Sequence, residues 1–263
     1  MRKVVVITGA SAGIGAALAR ELSAGGHRLV LAARRREELE KIARETGESL
    51  PVPTDVTRRE EVERLRDRAI EEFGHIDVWI NNAGRGISKP VLQLTDADVD
   101  EMMTVNVKSA LYGMQAVVPH FMERRAGHLI NVSSFLGRVP MASIRSVYSA
   151  AKAALNSLTA NLRTDLAAEY PDIHVSLVMP GLVRTEFAQN ALGAAAPAAA
   201  SPAARPPAGM MQPQTAEEVA GAIARLIEHP QAEIYTNPAS PELVRHYYAD
   251  VGVFEAQIFA KVR

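Results

Sequence analysis

Short apolar runs alternate with longer amphipathic stretches along most of the chain. The runs are rich in Val and Ile without alternating between apolar and polar positions, which is typical of strands buried on both faces of a parallel sheet. They predict strands over Val4–Thr8, Leu29–Ala33, Ile76–Ile80, Leu129–Ser133 and Val175–Met179. Between them, apolar residues at helical spacing predict helices over Gly13–Ala24, Arg36–Glu45, Arg58–Phe73, Ser109–Arg125 and Ser146–Glu169. Because strand and helix alternate over about 230 residues, the pattern predicts one doubly wound α/β domain.

Two segments have the spacing of a capping box, in which a Ser or Thr and an acid three residues later each bond the other's backbone N–H. One is Thr57–Glu60 and the other is Thr215–Glu218. Each predicts the start of a helix, and the second helix should run toward Glu228.

One segment departs from the alternating pattern. Ala191–Gly209 is rich in Ala and Pro, with prolines at 197, 202, 206 and 207. Proline breaks helices and removes a sheet hydrogen bond, so neither regular element is expected there. Two interpretations stay open, a disordered insertion and a mobile lid over a site. In the second, residues 186–213 form a substrate lid.

The end of the chain carries apolar residues at amphipathic spacing but no motif. They are Leu243, Tyr247, Tyr248, Val251, Val253, Phe254, Ile258 and Phe259. This stretch could pack on the main domain, cover a pocket or join subunits. We therefore divide the chain into a catalytic domain over residues 1–237 and a C-terminal extension over residues 238–263.

The amino-acid composition excludes several classes of function. The 263 residues carry a formal net charge of −1, so no basic excess predicts binding to nucleic acid or to an anionic membrane. There is no cysteine, which excludes disulfides, thiolate zinc sites and cysteine nucleophiles. The apolar run Val4–Ile7 is too short for a signal sequence or a membrane span. We expect a soluble, cytoplasmic protein without a metal site.

The first predicted strand leads into a glycine-rich turn, Gly9-Ala10-Ser11-Ala12-Gly13-Ile14-Gly15, and then into a helix. Glycine permits a tight turn and lets the backbone approach a pyrophosphate closely. The helix N-terminus adds free N–H donors and a positive dipole end. The turn therefore predicts nucleotide binding, although such a turn can also serve packing alone.

The end of the second predicted strand bears on the choice of nucleotide. An NAD site usually has a carboxylate there to bind the ribose 2′-hydroxyl. Here the position holds Ala33, and Arg34 follows. A guanidinium can bind a 2′-phosphate with its planar fork. The pattern favours NADP(H) over NAD(H); the alternative is that Arg34 and its neighbours simply begin a solvated helix.

Three polar features could carry chemistry. Tyr148 and Lys152 lie four residues apart on a predicted helix, so they share one face, and a cation nearby favours a phenolate. Asn131–Ser134 ends a predicted strand, at the carboxyl end where α/β sites lie. Asn106 lies in an apolar helical stretch and, if buried, needs partners. The tyrosine and lysine could instead be a surface pair, and Asn106 could be a satisfied core residue.

Taken together, the motifs resemble those of the short-chain dehydrogenase/reductase family. The matching pieces run over residues 1–190, with weaker ones to about 236. They are Thr8-Gly9-x-x-x-Gly13-x-Gly15, Asp55, Asn81-Asn82-Ala83-Gly84, Asn106, Ser134, Tyr148-x-x-x-Lys152 and Pro180-Gly181. The resemblance implies a single Rossmann-type domain with a parallel sheet of about seven strands and helices on both faces, assembled as a homodimer or homotetramer.

The resemblance also implies roles. Tyr148 would be the general acid or base and Ser134, rather than Ser133, would polarise the reacting oxygen. Lys152 would bind the nicotinamide ribose and lower the tyrosine pKa, and Asn106 would hold a water in the proton relay. The cofactor contacts would be Gly9, Ser11, Gly13, Ile14, Gly15, Arg34, Arg35, Asp55, Val56, Asn82, Ala83, Gly84, Tyr148, Lys152, Pro180, Gly181, Val183 and Thr185. The basic residue that NADP-dependent members often carry at the place of Ala12 is absent, so the NADP(H) preference depends on Arg34 and its neighbours.

The expected activity is hydride transfer between NADP(H) and a carbonyl or secondary alcohol. The candidate pocket wall includes Phe135, Leu136, Met141, Ile144, Arg145 and the segment after Thr185. Its apolar members, with Phe187, favour a small, mostly apolar substrate, although they could equally be packing residues. Two other functions stay open: an NADP(H)-binding sensor or scaffold without turnover, and an epimerase or dehydratase on the same fold.

Overall fold

Seven strands form a single parallel sheet in the part of the chain that the structure describes. The computed structural model describes residues 2–193 and 211–260, with the backbone alone at residues 259 and 260. The strands are β1 Val4–Thr8, β2 Arg28–Ala33, β3 Ser49–Pro53, β4 Val78–Asn81, β5 Gly127–Val132, β6 Ile173–Met179 and β7 Glu233–Tyr235. Their order is β3-β2-β1-β4-β5-β6-β7, and every neighbouring pair is parallel.

Helices connect the strands in the alternation that the sequence predicts. They are α1 Gly13–Ala24, α2 Arg36–Glu45, α3 Arg59–Phe73, α4 Asp96–Met103, α5 Ser109–Arg124, α6 Ser146–Ala167, α7 Ala216–Glu228, α8 Ser240–Ala249 and α9 Val251–Ala260. A π-helical segment, Thr104–Lys108, joins α4 to α5. The predicted fold class, a doubly wound α/β domain, is confirmed.

Alternate residues of the central strands point to opposite faces of the sheet, and both faces are covered. On one face, the strand residues Ile7, Leu31 and Ile80 pack with residues of α1, α2 and α7, among them Leu18, Leu39 and Ile223. On the other, the strand residues Val6, Val30 and Trp79 pack with residues of α3, α5 and α6, among them Leu65, Phe121 and Leu155. Each such side chain removed from water stabilises the fold by about 1.5–3 kcal/mol, so these two layers hold the sheet in place.

The sequence analysis does not predict either of the two edge strands, β3 and β7. In β3, Pro51 and Pro53 remove two N–H donors, a pattern that disfavours a strand in the interior of a sheet. The strand nevertheless forms because it lies at the edge and pairs with β2 only, with Leu31 opposite Pro51. At the other edge, β7 has only three residues, too few to show a pattern.

The first predicted capping box is wrong. Asp55 Oδ1 accepts hydrogen bonds from both the hydroxyl and the N–H of Thr57, at 2.7 and 3.0 Å, so this hydroxyl is engaged before the helix begins. The helix α3 starts one residue later than predicted, after Arg58, without a side-chain cap. The second box is confirmed: Thr215 Oγ1 accepts from the Glu218 N–H at 3.2 Å, and the Thr215 N–H donates to Glu218 Oε2 at 2.7 Å.

The helices α8 and α9 pack on the domain. Phe254 of α9 is buried in a cluster with Phe135 and Val139, and Leu243 and Tyr247 of α8 line the same cluster. This contact is one of the arrangements that the sequence left open for the C-terminal extension. None of the helices that the structure describes is both long and apolar enough to cross a lipid bilayer.

Most of the predicted substrate lid, residues 194–210, lies outside the described residues. Its described flanks are bound to the domain. The Leu192 N–H donates to Gly86 O at 2.9 Å, and the Leu192 carbonyl accepts from the Ser88 N–H at 2.8 Å. Beyond the gap, Gln214 exchanges two backbone hydrogen bonds of 2.8 Å with Leu182 and Arg184. Both flanks are therefore fixed at the carboxyl edge of the sheet.

Candidate active site

The strand order reverses between β1 and β4, which places a crevice at the carboxyl ends of these two strands. Thr8 holds the two sides of this crevice together. Its Oγ1 accepts hydrogen bonds from the N–H groups of Asn82 and Ala83 at 3.0 and 3.1 Å. In return, Asn82 Nδ2 donates to the Thr8 carbonyl at 2.9 Å. The glycine turn and the Asn82–Gly84 segment therefore form one rigid unit.

Two glycines of the turn are required by close backbone approach. Gly9 has φ +69°, and a Cβ there would lie 2.9 Å from Ala83 Cα. At Gly15 a Cβ would lie 2.3 Å from the Gly9 carbonyl oxygen, well inside contact distance. The turn therefore folds back on the first turn of α1, and neither position has room for a side chain.

The helix α1 begins at this turn without a side-chain cap. Ala12 occupies the N-cap, and no acidic residue lies in the first turn. The first N–H groups of a helix have no acceptor within it, so those of Gly13, Ile14 and Gly15 and the positive end of the helix dipole face the crevice. This donor set fits the pyrophosphate of a dinucleotide.

Cations, and no carboxylate, stand at the end of β2. Ala33 is buried, whereas Arg34 and Arg35 are exposed beside the turn. Arg35 Nη2 donates to Ser11 Oγ at 3.3 Å. Arg34 lies toward Asp55 and is one of the charges that lower its pKa. The structure thus brings Arg35, rather than Arg34, to Ser11, and it leaves both guanidinium groups accessible.

Asp55 follows β3 at the same edge of the sheet. Burial alone would raise the pKa of its carboxyl, but hydrogen bonds from Thr57 and the charges of Arg34 and Arg58 hold that pKa below its ordinary value. The Asp55 N–H donates to Glu61 Oε2 at 2.7 Å. The next residue, Val56, packs in the core. Asp55 is therefore held as an ionised hydrogen-bond acceptor at the border of the crevice.

Tyr148 and Lys152 lie on one face of α6, as the spacing predicts, and both are buried. Lys152 Nζ is 5.7 Å from the centroid of the Tyr148 ring and donates to the Val132 carbonyl at 2.9 Å. Burial raises the pKa of Tyr148 to about 12, although the Ser134 hydroxyl and the charge of Arg145 act in the opposite direction. Burial also lowers the pKa of Lys152 to about 8. At neutral pH the phenol is therefore protonated and the amine mostly charged.

The two serines after β5 have different surroundings. Ser133 is engaged in packing, since its Oγ donates to Asn156 Oδ1 at 2.5 Å and lies 3.3 Å from the Lys152 carbonyl. Ser134 Oγ accepts only from the Leu136 N–H, at 3.2 Å, among the described residues. Ser134 also interacts with the Tyr148 hydroxyl, whose pKa it lowers. Of the two hydroxyl groups, that of Ser134 is the one that lies beside the Tyr148 hydroxyl.

Asn106 lies in the π-helical segment and is almost fully buried. Its Nδ2 donates to the carbonyls of Arg85 and Met102 at 2.9 and 3.1 Å, and its Oδ1 accepts from the Arg85 N–H at 3.2 Å. A Cβ at Gly84 would lie 2.9 Å from Asn106 Oδ1 and 3.6 Å from Lys152 Nζ. The amide of Asn106 thus fixes the loop after β4 next to the Lys152 amine.

The segment after β6 closes the crevice from the other side. The Pro180 carbonyl accepts from the Phe135 N–H at 2.8 Å, and Val183 packs against the core beneath α1. Thr185 reaches the glycine turn, where a Cβ at Gly13 would lie 3.4 Å from its Cγ2. At Gly181 a Cβ would lie 2.7 Å from Met211 Sδ, a neighbour that the sequence did not reveal.

Phe187 and Arg145 both lie close to Tyr148. The rings of Phe187 and Tyr148 meet edge to face, with centroids 5.5 Å apart. Phe135, in contrast, is buried against Val139 and Phe254 and does not line the site. The packing interpretation is therefore correct for Phe135, whereas Phe187 supports the prediction of an apolar wall.

Comparison with known proteins agrees with this geometry. Residues 3–194 match the family model for short chain dehydrogenases. An uncharacterized oxidoreductase of Staphylococcus aureus (strain MW2) is 40% identical over 188 residues, which are 70% of this chain and 79% of that protein. The structure of a short chain dehydrogenase/reductase from Burkholderia phymatum in complex with NAD has a TM-score of 0.82 and 29% identity, over 96% of this chain and 95% of that one.

A short-chain dehydrogenase from Burkholderia cenocepacia J2315, solved in complex with NADP, has a TM-score of 0.79 and 29% identity, over 98% and 97% of the two chains. Both the family model and the relatives cover the strands and loops that form the crevice. The chain is therefore an oxidoreductase of the short-chain dehydrogenase/reductase family.

Proposed function

We propose that this protein transfers hydride between NADP(H) and a carbonyl or secondary alcohol, with Tyr148 as its general acid and base. One observation carries the proposal. Tyr148, Lys152, Ser134 and Asn106, which come from three separate segments of the sequence, meet at the carboxyl edge of the sheet, next to a glycine turn built for a pyrophosphate.

The crevice fits a dinucleotide along its whole length. The open N-terminus of α1 can bind the pyrophosphate, and Asp55, Val56 and the Asn82–Gly84 segment border the adenosine side. On the nicotinamide side, Thr185 reaches the glycine turn and the Pro180 carbonyl accepts from the Phe135 N–H, so this segment, with Gly181 and Val183, borders the crevice. When bound, the cofactor supplies or accepts the hydride.

The preference for NADP(H) follows from charge. Ala33 puts no carboxylate at the end of β2, and Arg34 and Arg35 provide two accessible guanidinium groups with the Ser11 hydroxyl between them and α1. A 2′-phosphate would gain charge-assisted hydrogen bonds from this set. Similar proteins have been solved with NAD and with NADP, so the preference depends on these residues of this chain.

In carbonyl reduction, Ser134 and Tyr148 bind the carbonyl oxygen and polarise it. Hydride reaches the carbon, and the Tyr148 hydroxyl gives its proton to the oxygen, which leaves an alcohol and a phenolate. Because burial holds the pKa of Tyr148 at about 12, the phenol begins the step protonated. Oxidation is the same step in reverse.

Lys152 and Asn106 support this proton transfer. The Lys152 ammonium stabilises the phenolate that forms and can bind the nicotinamide ribose hydroxyls. Both Nδ2 donors of Asn106 are used by the Arg85 and Met102 carbonyls, and Oδ1 accepts from the Arg85 N–H. A relay water beside it would therefore donate to the second lone pair of Oδ1 or to a backbone carbonyl of the π-helical segment. The side chain of Asn106 therefore acts by positioning the loop next to Lys152.

The direct test is NADPH oxidation with a panel of ketones and aldehydes, with NADH in parallel. We expect turnover of at least one apolar carbonyl compound and a lower KM for NADPH than for NADH. Tight NADPH binding without turnover of any compound would instead support a sensor or scaffold. Conversion of a hydroxylated substrate without net change in NADPH would support an epimerase or dehydratase. Mass measurement in solution tests the predicted homodimer or homotetramer.

A further inference from the structure

On the side of Tyr148 that Phe187 covers, Arg145 is a cation without a carboxylate partner among the described residues. Arg145, three residues before Tyr148, is half-buried, and no carboxylate of the described residues lies within 4.0 Å of its guanidinium. Two cations of the neighbouring loops are paired, Arg85 with Glu101 and Lys89 with Asp98, the latter at 2.7 Å, and the Lys152 amine donates to the Val132 carbonyl. Residues 194–210 contain no Asp or Glu in the sequence. A half-buried charge without a counter-charge is unfavourable unless a ligand supplies one.

The guanidinium lies near the aromatic ring that covers Tyr148. At Gly86, a Cβ would lie 3.1 Å from Arg145 Nη1 and 2.8 Å from Cε1 of Phe187, whose ring contacts Tyr148. Arg145 is also the cation whose charge lowers the pKa of Tyr148. Arg145 and Phe187 therefore both lie beside Gly86, and the ring of Phe187 also contacts Tyr148.

Part of the guanidinium is left for a ligand. Nη1 donates to the Ile87 carbonyl at 2.8 Å and to Ser88 Oγ at 3.2 Å. Among the described residues, Nε and Nη2 donate to no acceptor, and neither is a buried unpaired atom. Because arginine has five N–H donors, three remain, and Nε with Nη2 forms the planar fork that matches a carboxylate.

The backbone around Arg145 holds this fork in place. The Lys89 N–H donates to the Ile144 carbonyl at 2.9 Å, and the Ser146 hydroxyl donates to the Lys89 carbonyl at 2.7 Å. Arg145 is also the N-cap residue of the 22-residue helix α6, whose first turn has no acidic residue. A cation at the positive end of a helix dipole is disfavoured, and an anion bound there would be attracted by both charges.

We propose that Arg145 binds a carboxylate of the substrate, so that the enzyme reduces a keto acid or oxidises the corresponding hydroxy acid. The assignment rests on the proposed function, because it places the carboxylate next to a carbonyl held by Tyr148. One guanidinium fork matches a carboxylate monoanion better than a dianionic phosphate. The predicted apolar substrate is thereby refined to one with an apolar body, which would contact Phe187, and one acidic group.

The test compares acids with their neutral esters. Benzoylformate and 3-oxobutanoate, and the methyl ester of each, are assayed with NADPH for the wild type, Arg145→Met, Arg145→Lys and Arg68→Met. The last is a matched control, because Arg68 is exposed on α3 and lies away from the site. For the wild type we expect a higher kcat/KM for at least one acid than for its ester. In Arg145→Met the acid-to-ester ratio should fall about 30-fold, mainly through KM.

Arg145→Lys should keep part of the preference, and Arg68→Met should keep all of it. Equal losses for acid and ester in Arg145→Met, confined to kcat, would mean that Arg145 only supports the loop or Tyr148, and would overturn the assignment. A wild type that prefers both esters would overturn it as well, with the reductase function intact.

If no compound is reduced, the proposed function fails, but the assignment of Arg145 can still be decided. Calorimetric titration of the acids and esters into Tyr148→Phe loaded with NADPH measures the same preference as binding. Tighter binding of an acid than of its ester, lost when Arg145→Met is added, supports the assignment. Equal binding of the two contradicts it.

Discussion

The ring of Phe187 lies edge-on against the ring of Tyr148, with the centroids 5.5 Å apart and the planes at 60°. Phe187 is about one-third exposed, whereas Tyr148 is buried beneath it. The apolar ring therefore takes part in desolvating the phenol, and desolvation is the main cause of the raised pKa of Tyr148. This contact connects the substrate-side wall to the acidity of the proposed catalytic group.

Phe187→Ala should lower the pKa of Tyr148 from about 12 toward its ordinary value, because water would reach the phenol. Phe187→Leu, which keeps an apolar side chain, should lower it less. Absorbance titration of the phenolate measures this, with Tyr148→Phe in each background to subtract the other five of the six tyrosines. An unchanged pKa in Phe187→Ala would show that the ring does not desolvate the phenol.

Gly15→Ala should weaken NADPH binding at least about tenfold and destabilise the fold by about 1–3 kcal/mol, since the new methyl group would overlap the Gly9 carbonyl. The matched control is Gly221→Ala in α7, where the nearest atom is the flexible end of Arg225 at 3.4 Å. That change should be neutral or stabilise by about 0.5–1 kcal/mol, through helix propensity. Thermal unfolding and fluorescence titration with NADPH distinguish the two, and equal effects would contradict the close approach described for the turn.

Arg34→Ala should raise the KM for NADPH about 10- to 100-fold and change the KM for NADH much less, because only NADPH carries the 2′-phosphate. Arg35→Ala should act in the same direction, since Arg35 contacts Ser11. Arg36→Ala is the control, because Arg36 lies beyond them on α2 near Glu40. Unchanged KM values for both cofactors in Arg34→Ala and Arg35→Ala would refute the NADP(H) preference.

The kcat/KM for NADPH should fall with rising pH above about 8, because Lys152 loses its proton there. The direction follows from burial, which lowers the pKa of this amine and so reduces its charged fraction at alkaline pH. We choose kcat/KM for NADPH because this parameter depends on the ionisation of groups in the free enzyme, such as Lys152. A flat profile across this range would show that the charge of Lys152 does not contribute to cofactor capture.

The sequence predicted those parts of the site that depend on local spacing. Tyr148 and Lys152 had to share a face of a helix, and Gly9, Gly13 and Gly15 had to form a turn after a buried strand. It could not predict the depth of burial, which shifts the pKa values of Tyr148 and Lys152 in opposite directions. Burial depends on how α6, β5 and the loop after β4 pack, and these elements are distant in the chain.

The sequence also could not predict which hydrogen-bond or salt-bridge partner each polar side chain takes. Thr57 has the spacing of a capping residue, but Asp55 two residues earlier takes its hydroxyl. Arg145 became distinctive only because Lys89 and Arg85 find carboxylates on α4. A list of charges along the chain does not show which cation is left without a partner, and this one now specifies the proposed substrate class.

The central claim is tested most directly by Tyr148→Phe, which removes one hydroxyl and keeps the ring that contacts Phe187. In steady-state assays with NADPH and the best carbonyl substrate, we predict that kcat falls about 1000-fold while the Kd for NADPH changes less than about threefold. A variant that keeps near-normal kcat would contradict the assignment of Tyr148 as the general acid.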